Sequence, residues 1–223
     1  VIRVAIKKPI RKFGWSVSYE NGQLLEYRKG RQTNSIDLTK YDNFVGQHSY
    51  QNAASAYTAC RVLGLSPRKV AEAMKGFNGL AHRSQKIAIF KGITFVNDSK
   101  ATNVESAMMS LDAYKNIRWI CGGKQKDGGL SKLNSVTQNV KRAYIIGLEA
   151  EAISRQLNCS TVICNDMKKA VEQATKDASA DDVILLAPAA SSFDQYDNFE
   201  DRGDDFVSQV KRVIEISQKT NST

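Results

Sequence analysis

Cysteine, histidine, proline and tryptophan are all scarce: the 223 residues hold four Cys, two His, three Pro and two Trp. Each scarcity closes off a class of function. Two histidines, His48 and His82, are too few for a histidine metal centre, and neither sits in an H-E-x-x-H motif. Cys60, Cys121, Cys159 and Cys164 form no C-x-x-C pair and keep no regular spacing. Three of them fall in apolar helix or strand surroundings, which favours reduced thiols in a cytoplasmic protein over a disulfide framework. No apolar run approaches the roughly 20 residues of a bilayer span. The longest, Val183 to Ala190, is strand-sized. The first residues lack a signal-peptide layout and an initiator Met, and open at once on a strand pattern. That start is expected of a chain taken from something longer.

Charge is not scarce. The net charge is +9, from 32 basic and 23 acidic residues. Residues 1–40 hold nine Lys or Arg against three acids, which is +6 of it. A solvated basic face explains this more simply than nucleic-acid binding, because no helix-turn-helix, zinc finger or aromatic RNA-binding signature accompanies it. The hydrophobic fraction, 42%, is that of an ordinary globular protein with room for a real core.

Two patterns divide the chain. Residues 1–45 alternate apolar and polar positions with turn signals at Asn21-Gly22 and Lys29-Gly30, which predicts short antiparallel strands. From Tyr50 to Leu63 the apolar spacing becomes helical, and Ser66-Pro67 opens a second helix that ends near Gly76. The punctuated stretch Asn78 to Arg83 marks a domain boundary, separating 1–83 from 84–223. Beyond it, a hairpin at 87–96 and strands at 117–121, 143–146, 161–164 and 183–187 alternate with helices at 104–114, 131–140, 149–157, 167–178 and 203–216. The fold class is therefore α/β: a Rossmann-like, mostly parallel sheet with helices on both faces.

Such sheets bind ligands outside the carboxyl ends of their strands. Three strands end there in polar clusters: Asn97 to Asn103, Gly122 to Gly129, and Pro188 to Asp194. The strand at 143–146 ends in Gly147-Leu148-Glu149, which reads as a plain helix start. The paired glycines let the backbone approach a ligand, with Lys124 and Lys126 between them. Thr102 and Asn103 open a helix, where an anion is favoured. Ser192 and the backbone near Phe199 could hold a second anion. Taken singly, Thr102 or Asn103 serves equally well as a cap, Asp98 as another, and Lys126 as a solvated lysine. Convergence on one rim favours a site for a small carboxylate or phosphate.

The segments NDSKATN, GLAHR, GG-x-x-K and PAASSFDQYDNFEDRGDDF together resemble the C-terminal domain of the Mur ligases, above all the D-glutamate-adding branch. GQHSYQNAASAYTACRVLGL resembles the end of that family's central ATP-binding domain. The likeness runs from about Val45 to Val213 and is weak over 1–44. It implies that 1–83 close the ATP-binding domain and 84–223 form the ligase domain. It further implies that Asn52 faces adenine, Arg83 the phosphates with His82 beside it, and Asp98 the ribose. Thr102 and Lys126 would hold the α-carboxylate of D-glutamate. Ser192 and the backbone at Phe199 would hold the side-chain carboxylate, with Lys100 nearby. Arg83 and Lys126 carry the catalytic expectation. Three departures stand out: Ser49 where Asn usually follows His, Ala81 where Pro usually precedes His-Arg, and Gly-Gly-Lys-Gln-Lys for the usual Gly-Gly-Asp-Gly-Lys. The last leaves Lys124 competing with Lys126.

The implied reaction is ATP-driven amide formation between UDP-N-acetylmuramoyl-L-alanine and D-glutamate in peptidoglycan precursor synthesis. A carboxylate is a poor electrophile until phosphorylated, and Mg²⁺ with cationic side chains stabilises the charge on the moving phosphoryl group. The family's Gly-Lys-Ser/Thr phosphate loop and UDP-sugar domain have no counterpart in residues 1–223, so the resemblance places them, and the Mg²⁺ ligands, in missing N-terminal and central segments. It implies that 1–223 alone are inactive. A monomer with small-molecule substrates is expected, without nucleic acid or membrane span. The rival readings are a ligase of the folylpolyglutamate synthase type and a non-catalytic nucleotide- or amino-acid-binding Rossmann-like module.

Overall fold

The computed structural model describes residues 2–6, 14–41 and 44–220, without the side chains of Ile6, Gln47, His48 and Thr220. His48 and the basic residues Lys7, Lys8, Arg11 and Lys12 thus lie outside the described side chains. The chain divides into two compact units, residues 1–79 and 80–223.

In the first unit, β1 (Arg3–Ile6), β2 (Trp15–Glu20), β3 (Gln23–Arg28) and β4 (Arg31–Asp37) form a four-stranded sheet in that order. The turns Asn21-Gly22 and Lys29-Gly30 take positive φ at both residues and join antiparallel pairs, as their composition demands. β1, however, pairs parallel to β2, which corrects the all-antiparallel expectation. Alternation marks a strand but says nothing about which way its neighbour runs. Helices α1 (Gln47–Val62) and α2 (Pro67–Lys75) follow, the second capped by the Ser66 hydroxyl. Ala53, Ala54, Tyr57, Val70 and Met74 pack with Val17, Leu24 and Leu38 into one core.

The second unit holds six strands: β5 (Gln85–Phe90), β6 (Ile93–Asn97), β7 (Ile117–Gly122), β8 (Val140–Ile146), β9 (Thr161–Asn165) and β10 (Val183–Leu186). Their order is β5-β6-β10-β7-β8-β9, parallel except for the β5–β6 hairpin. Alternate residues feed opposite faces. Val96, Trp119, Cys121, Ile145 and Leu185 pack with Ala107 and Leu111 of α3 (Val104–Ala113) and Ile153 of α4 (Ala150–Ser154). Phe95, Ile120, Tyr144, Ile146 and Ile184 pack with Ala170 and Ala174 of α5 (Met167–Asp177) and Phe206 and Val210 of α6 (Phe199–Thr220). Strands buried on both faces explain the continuous apolar runs.

Two helix expectations are corrected. Residues 131–140 form 3-10 turns at Ser131–Ser135 and Thr137–Asn139 rather than an α-helix. Their buried residues Leu130, Leu133 and Val136 recur every third position, a spacing that the 3-10 period satisfies as well as the α period does. α6 begins at Phe199, four residues before the expected start, because the Asn198 side chain accepts from Asp201 N at 2.7 Å and caps it. Among the described residues no helix is long and apolar enough to cross a membrane.

At the start of β10, Asp182 is 1% exposed and accepts from Arg118 Nε at 2.9 Å, from Lys141, and from Ser179 N at 3.2 Å. Burial alone would raise its carboxyl, but these bonds outweigh it and hold the pKa below the usual carboxylate range. A depressed carboxyl contributes stability that is complete above its unfolded-state pKa, about 3.9, and is lost as pH falls through the lower folded value. Thermal unfolding of the chain followed from about pH 6 down to about pH 2 should show an acid decline that is shallower in Asp182→Asn, which starts from lower stability at neutral pH. An equally steep decline in the variant would remove Asp182 from the account.

Candidate functional site

β10 lies between β6 and β7, so the chain order reverses there, and the carboxyl ends of these three strands stand level: Leu186 pairs with both Asn97 and Ile120. This is the crevice where open α/β sheets take ligands. Backbone bonds tie the three loops together. Asp98 N donates to Leu186 O at 2.8 Å, Ala189 N to Ala101 O at 2.9 Å, and Gly122 N to Pro188 O at 3.0 Å. Lys124 and Ser191 exchange N–H to O bonds at 3.0 Å in an isolated antiparallel bridge.

The first glycine pair owes its place to this crowding and not to a ligand. A Cβ on Gly122 would stand 2.1 Å from Ile146 O, and one on Gly123 2.2 Å from Ser191 O, with φ of +121° and +123°. Only glycine fits both demands. Gly128, in contrast, faces open space.

The structure gathers the expected residues into neighbouring groups. On one side, Lys126 joins Asn103, Gly128, Gly129 and Lys132 around a cavity of about 140 Å³ at the start of α3, with Glu105 and Asp127 also in its lining. Asn103 caps that helix, accepting from Ser106 N at 2.8 Å. Thr102 is half-buried beside it, its N–H donating to Lys100 O at 2.8 Å. Lys124 is exposed and does not line this cavity. On the other side, Lys100 Nζ lies 3.8 Å above the Phe199 ring, and the Phe199 carbonyl accepts from Ser99 Oγ at 2.7 Å. Ser192 is 3% exposed at the turn where its carbonyl accepts from Gln195 N and Tyr196 N. A larger cavity, about 370 Å³, sits against β9 and α5 and shares no residue with these loops.

His82 and Asp98 are buried. The Asp98 carboxylate accepts from Ser84 N at 3.1 Å and from the Ser110 hydroxyl, so it braces the loop at Arg83 against α3. The His82 ring packs edge-on to Phe199 and meets Asn97 Nδ2 through Nδ1 at 3.1 Å. A Cβ on Gly203 would stand 2.2 Å from that nitrogen, which explains a glycine inside α6. Arg83 is exposed beside it. Asn52 is exposed on α1, in the first unit. Among the described residues no group of three His, Cys, Asp or Glu could hold a metal ion.

The sequence reading missed a fourth contributor. Glu149 accepts from Gln125 N at 3.1 Å and Gln125 Nε2 at 2.9 Å, and Asp194 accepts from Leu148 N at 3.0 Å. Gln156 closes the same network, accepting from Leu130 N at 2.6 Å and donating to Gln125 Oε1 at 2.8 Å. The segment after β8 thus clamps the loop that carries the two lysines. Arg202 and Gly203 were also given no role, and Asn97, placed in the first polar cluster, was given none of its own. A buried amide closing an apolar strand was the visible signal for Asn97.

A doubly covered, mostly parallel sheet with anion-suited loops at its switch point defines a Rossmann-like ligand-binding domain, and the comparisons narrow the class. Residues 82–190 match the family described as Mur ligase, glutamate ligase domain. The chain is 50% identical over 215 residues to the UDP-N-acetylmuramoylalanine--D-glutamate ligase of Ruegeria pomeroyi, covering 96% of this chain and 46% of that protein. It is 53% identical over 201 residues to the ligase of the same name from Jannaschia sp., covering 90% and 44%. The chain belongs to the Mur ligase family, and it spans about half the length of the curated relatives it matches. Among solved structures, the UDP-N-acetylmuramate-alanine ligase of Thermotoga maritima shares the fold with TM-score 0.66 at 13% identity, covering 90% of this chain and 46% of that one. The bifunctional folylpolyglutamate synthase/dihydrofolate synthase of Yersinia pestis does so with TM-score 0.60 at 17% identity, covering 92% and 46%.

Proposed function

We propose that this chain is the amino-acid-binding part of an ATP-dependent ligase that joins D-glutamate to UDP-N-acetylmuramoyl-L-alanine in the cytoplasm. In this reading residues 1–83 belong to the ATP-binding domain and 84–223 form the ligase domain. The observation that carries the reading is the 50% identity, sustained over 96% of the chain, with a ligase named for D-glutamate. The rim supports it chemically. Lys126 and Thr102 at the start of α3 suit one carboxylate, where the helix dipole and a cation act together. Ser192, the backbone at Phe199 and Lys100 suit the other. Holding both ends of the amino acid fixes its amine, which converts part of a bimolecular encounter into a positioned reaction.

ATP would supply phosphorylation of the acceptor carboxylate. Arg83 is an exposed cation suited to phosphate oxygens, and His82 and Asp98 are the further nucleotide contacts proposed within the second unit. The described residues do not by themselves form a metal site, so Mg²⁺ ligands are not assigned to them. The folylpolyglutamate synthase reading rests on shared fold at 17% identity, which the closer relatives outweigh.

The test is an NMR titration of the chain with D- and L-glutamate. D-Glutamate should shift amides in the loops at 97–103, 122–130 and 187–199, and L-glutamate should shift them less. Equal responses to the two enantiomers, or shifts confined to other residues, would defeat the assignment.

A further inference from the structure

Arg202 of α6 is 1% exposed, and its guanidinium reaches all three rim loops. Nε donates to Ser99 Oγ at 3.0 Å and Nη2 to Ser99 O at 2.9 Å, while Nη1 donates to Ala190 O at 3.1 Å. Nη1 also lies 3.4 Å from where a Cβ on Gly123 would stand. Every one of these acceptors is neutral. The other deeply buried charges behave differently: Glu26 and Asp182 each meet two cations within ion-pair distance. Among the described residues Arg202 makes no ion pair.

A buried charge without a partner is costly and uncommon. Burial pulls the Arg202 pKa down to about 10, opposed by the attraction of Asp194, which makes no ion pair with it, so the group stays charged at neutral pH. The Asp194 carboxylate is itself engaged by Leu148 N. The loops therefore enclose a positive charge that no ion pair among the described residues neutralises, in surroundings where charge acts more strongly than in water.

We propose that Arg202 is a specificity-determining positioning residue, which locks the 97–103 and 187–194 loops in one register and tunes the rim to a doubly anionic amino acid. The proposal rests on the D-glutamate reading of the same rim. D-Glutamate brings a second negative charge, and its isostere D-glutamine does not. The preference between them reads the field of Arg202 apart from the shape of the pocket.

The experiment measures the affinity of the chain for D-glutamate and D-glutamine by NMR titration, in wild type, Arg202→Gln and Arg202→Lys, alongside amide exchange of Ser99, Ala189 and Ser191. The preference for D-glutamate should fall about tenfold in Arg202→Gln and stay within about twofold of wild type in Arg202→Lys, which keeps the charge. Exchange in the two loops should quicken in both variants, because lysine cannot span three acceptors. An unchanged preference in Arg202→Gln overturns the proposal and leaves the D-glutamate reading standing. So does a preference lost equally in the folded Lys variant, and that variant decides the matter alone if Arg202→Gln does not fold. A wild-type chain that binds neither amino acid sinks the D-glutamate reading and the charge assignment with it, while loop exchange still shows whether Arg202 pins the loops.

Discussion

Lys126→Ala should weaken D-glutamate binding about tenfold to somewhat over a hundredfold, and Lys124→Ala should cost much less. A charge-assisted hydrogen bond contributes about 1.5–3 kcal/mol, and each 1.4 kcal/mol is about tenfold in affinity. The geometry separates the two lysines. Lys124 has both backbone groups engaged by Ser191, and its side chain leaves the bridge toward solvent. Lys126 lines the cavity of about 140 Å³ at the start of α3, where the helix N-terminus already favours an anion. Lys132 lines the same cavity and could supply part of the lost charge, which places the expected loss nearer tenfold. Titration of each variant with D-glutamate decides the order. A larger loss from Lys124→Ala would keep the rim as the site and exchange the roles of the lysines.

The sheet of the second unit was legible because its strands are short, apolar and buried on both faces. Ile117 to Cys121 and Val183 to Ala187 are bounded by glycine, proline and polar residues, and nothing competes with a strand there. Periodicity could not supply pairing direction, which is why β1 against β2 was misread. It could not separate a 3-10 from an α-helix over Leu130 to Val136 either, since an apolar residue every third position suits both.

At the site, the three polar loops were visible because polar residues cluster after apolar strands, and chain order alone sends those ends to one rim. What supports the loops was not visible. Arg202 lies 103 residues from Ser99, and Gln125 lies 24 from Glu149. Such contacts come from the fold, and Arg202 and Glu149 look like ordinary charged residues of a helix or helix start in the sequence. The two glycine pairs show the same limit. Gly122-Gly123 and Gly128-Gly129 read alike, yet the first is dictated by neighbouring backbone and Gly128 faces open space.

Glu26→Ala should destabilise the first unit by about 3–5 kcal/mol, the typical cost of stranding the partners of a buried carboxylate. Glu26 is 0% exposed on β3 and accepts from Tyr57 OH at 2.6 Å, Arg61 Nε at 3.0 Å, Arg28 Nε at 3.1 Å and Asn34 Nδ2 at 3.2 Å. Burial alone would raise its carboxyl, but the bonds from Arg61, Tyr57 and Arg28 prevail and hold it below the usual range. Tyr57 and Arg61 belong to α1, so this one carboxylate fastens the helix to the sheet. Not every donor suffers equally when it goes. Arg28 is 40% exposed and stacks 3.2 Å from the Trp15 ring centre, so it keeps a partner and reaches water. Tyr57 is fully buried and the Arg61 side chain only 16% exposed, and these two carry the cost. Replacing the whole set with apolar groups, as Glu26→Leu with Tyr57→Phe and Arg61→Leu, should recover most of the loss, since no polar group is then left unpaired. Amide exchange gives the readout unit by unit: β2, β3 and α1 should open faster in Glu26→Ala while β7 and β10 keep wild-type protection. Equal protection of α1 in Glu26→Ala and wild type would show that apolar packing around Tyr57 and Leu24, and not the carboxylate, holds the helix in place.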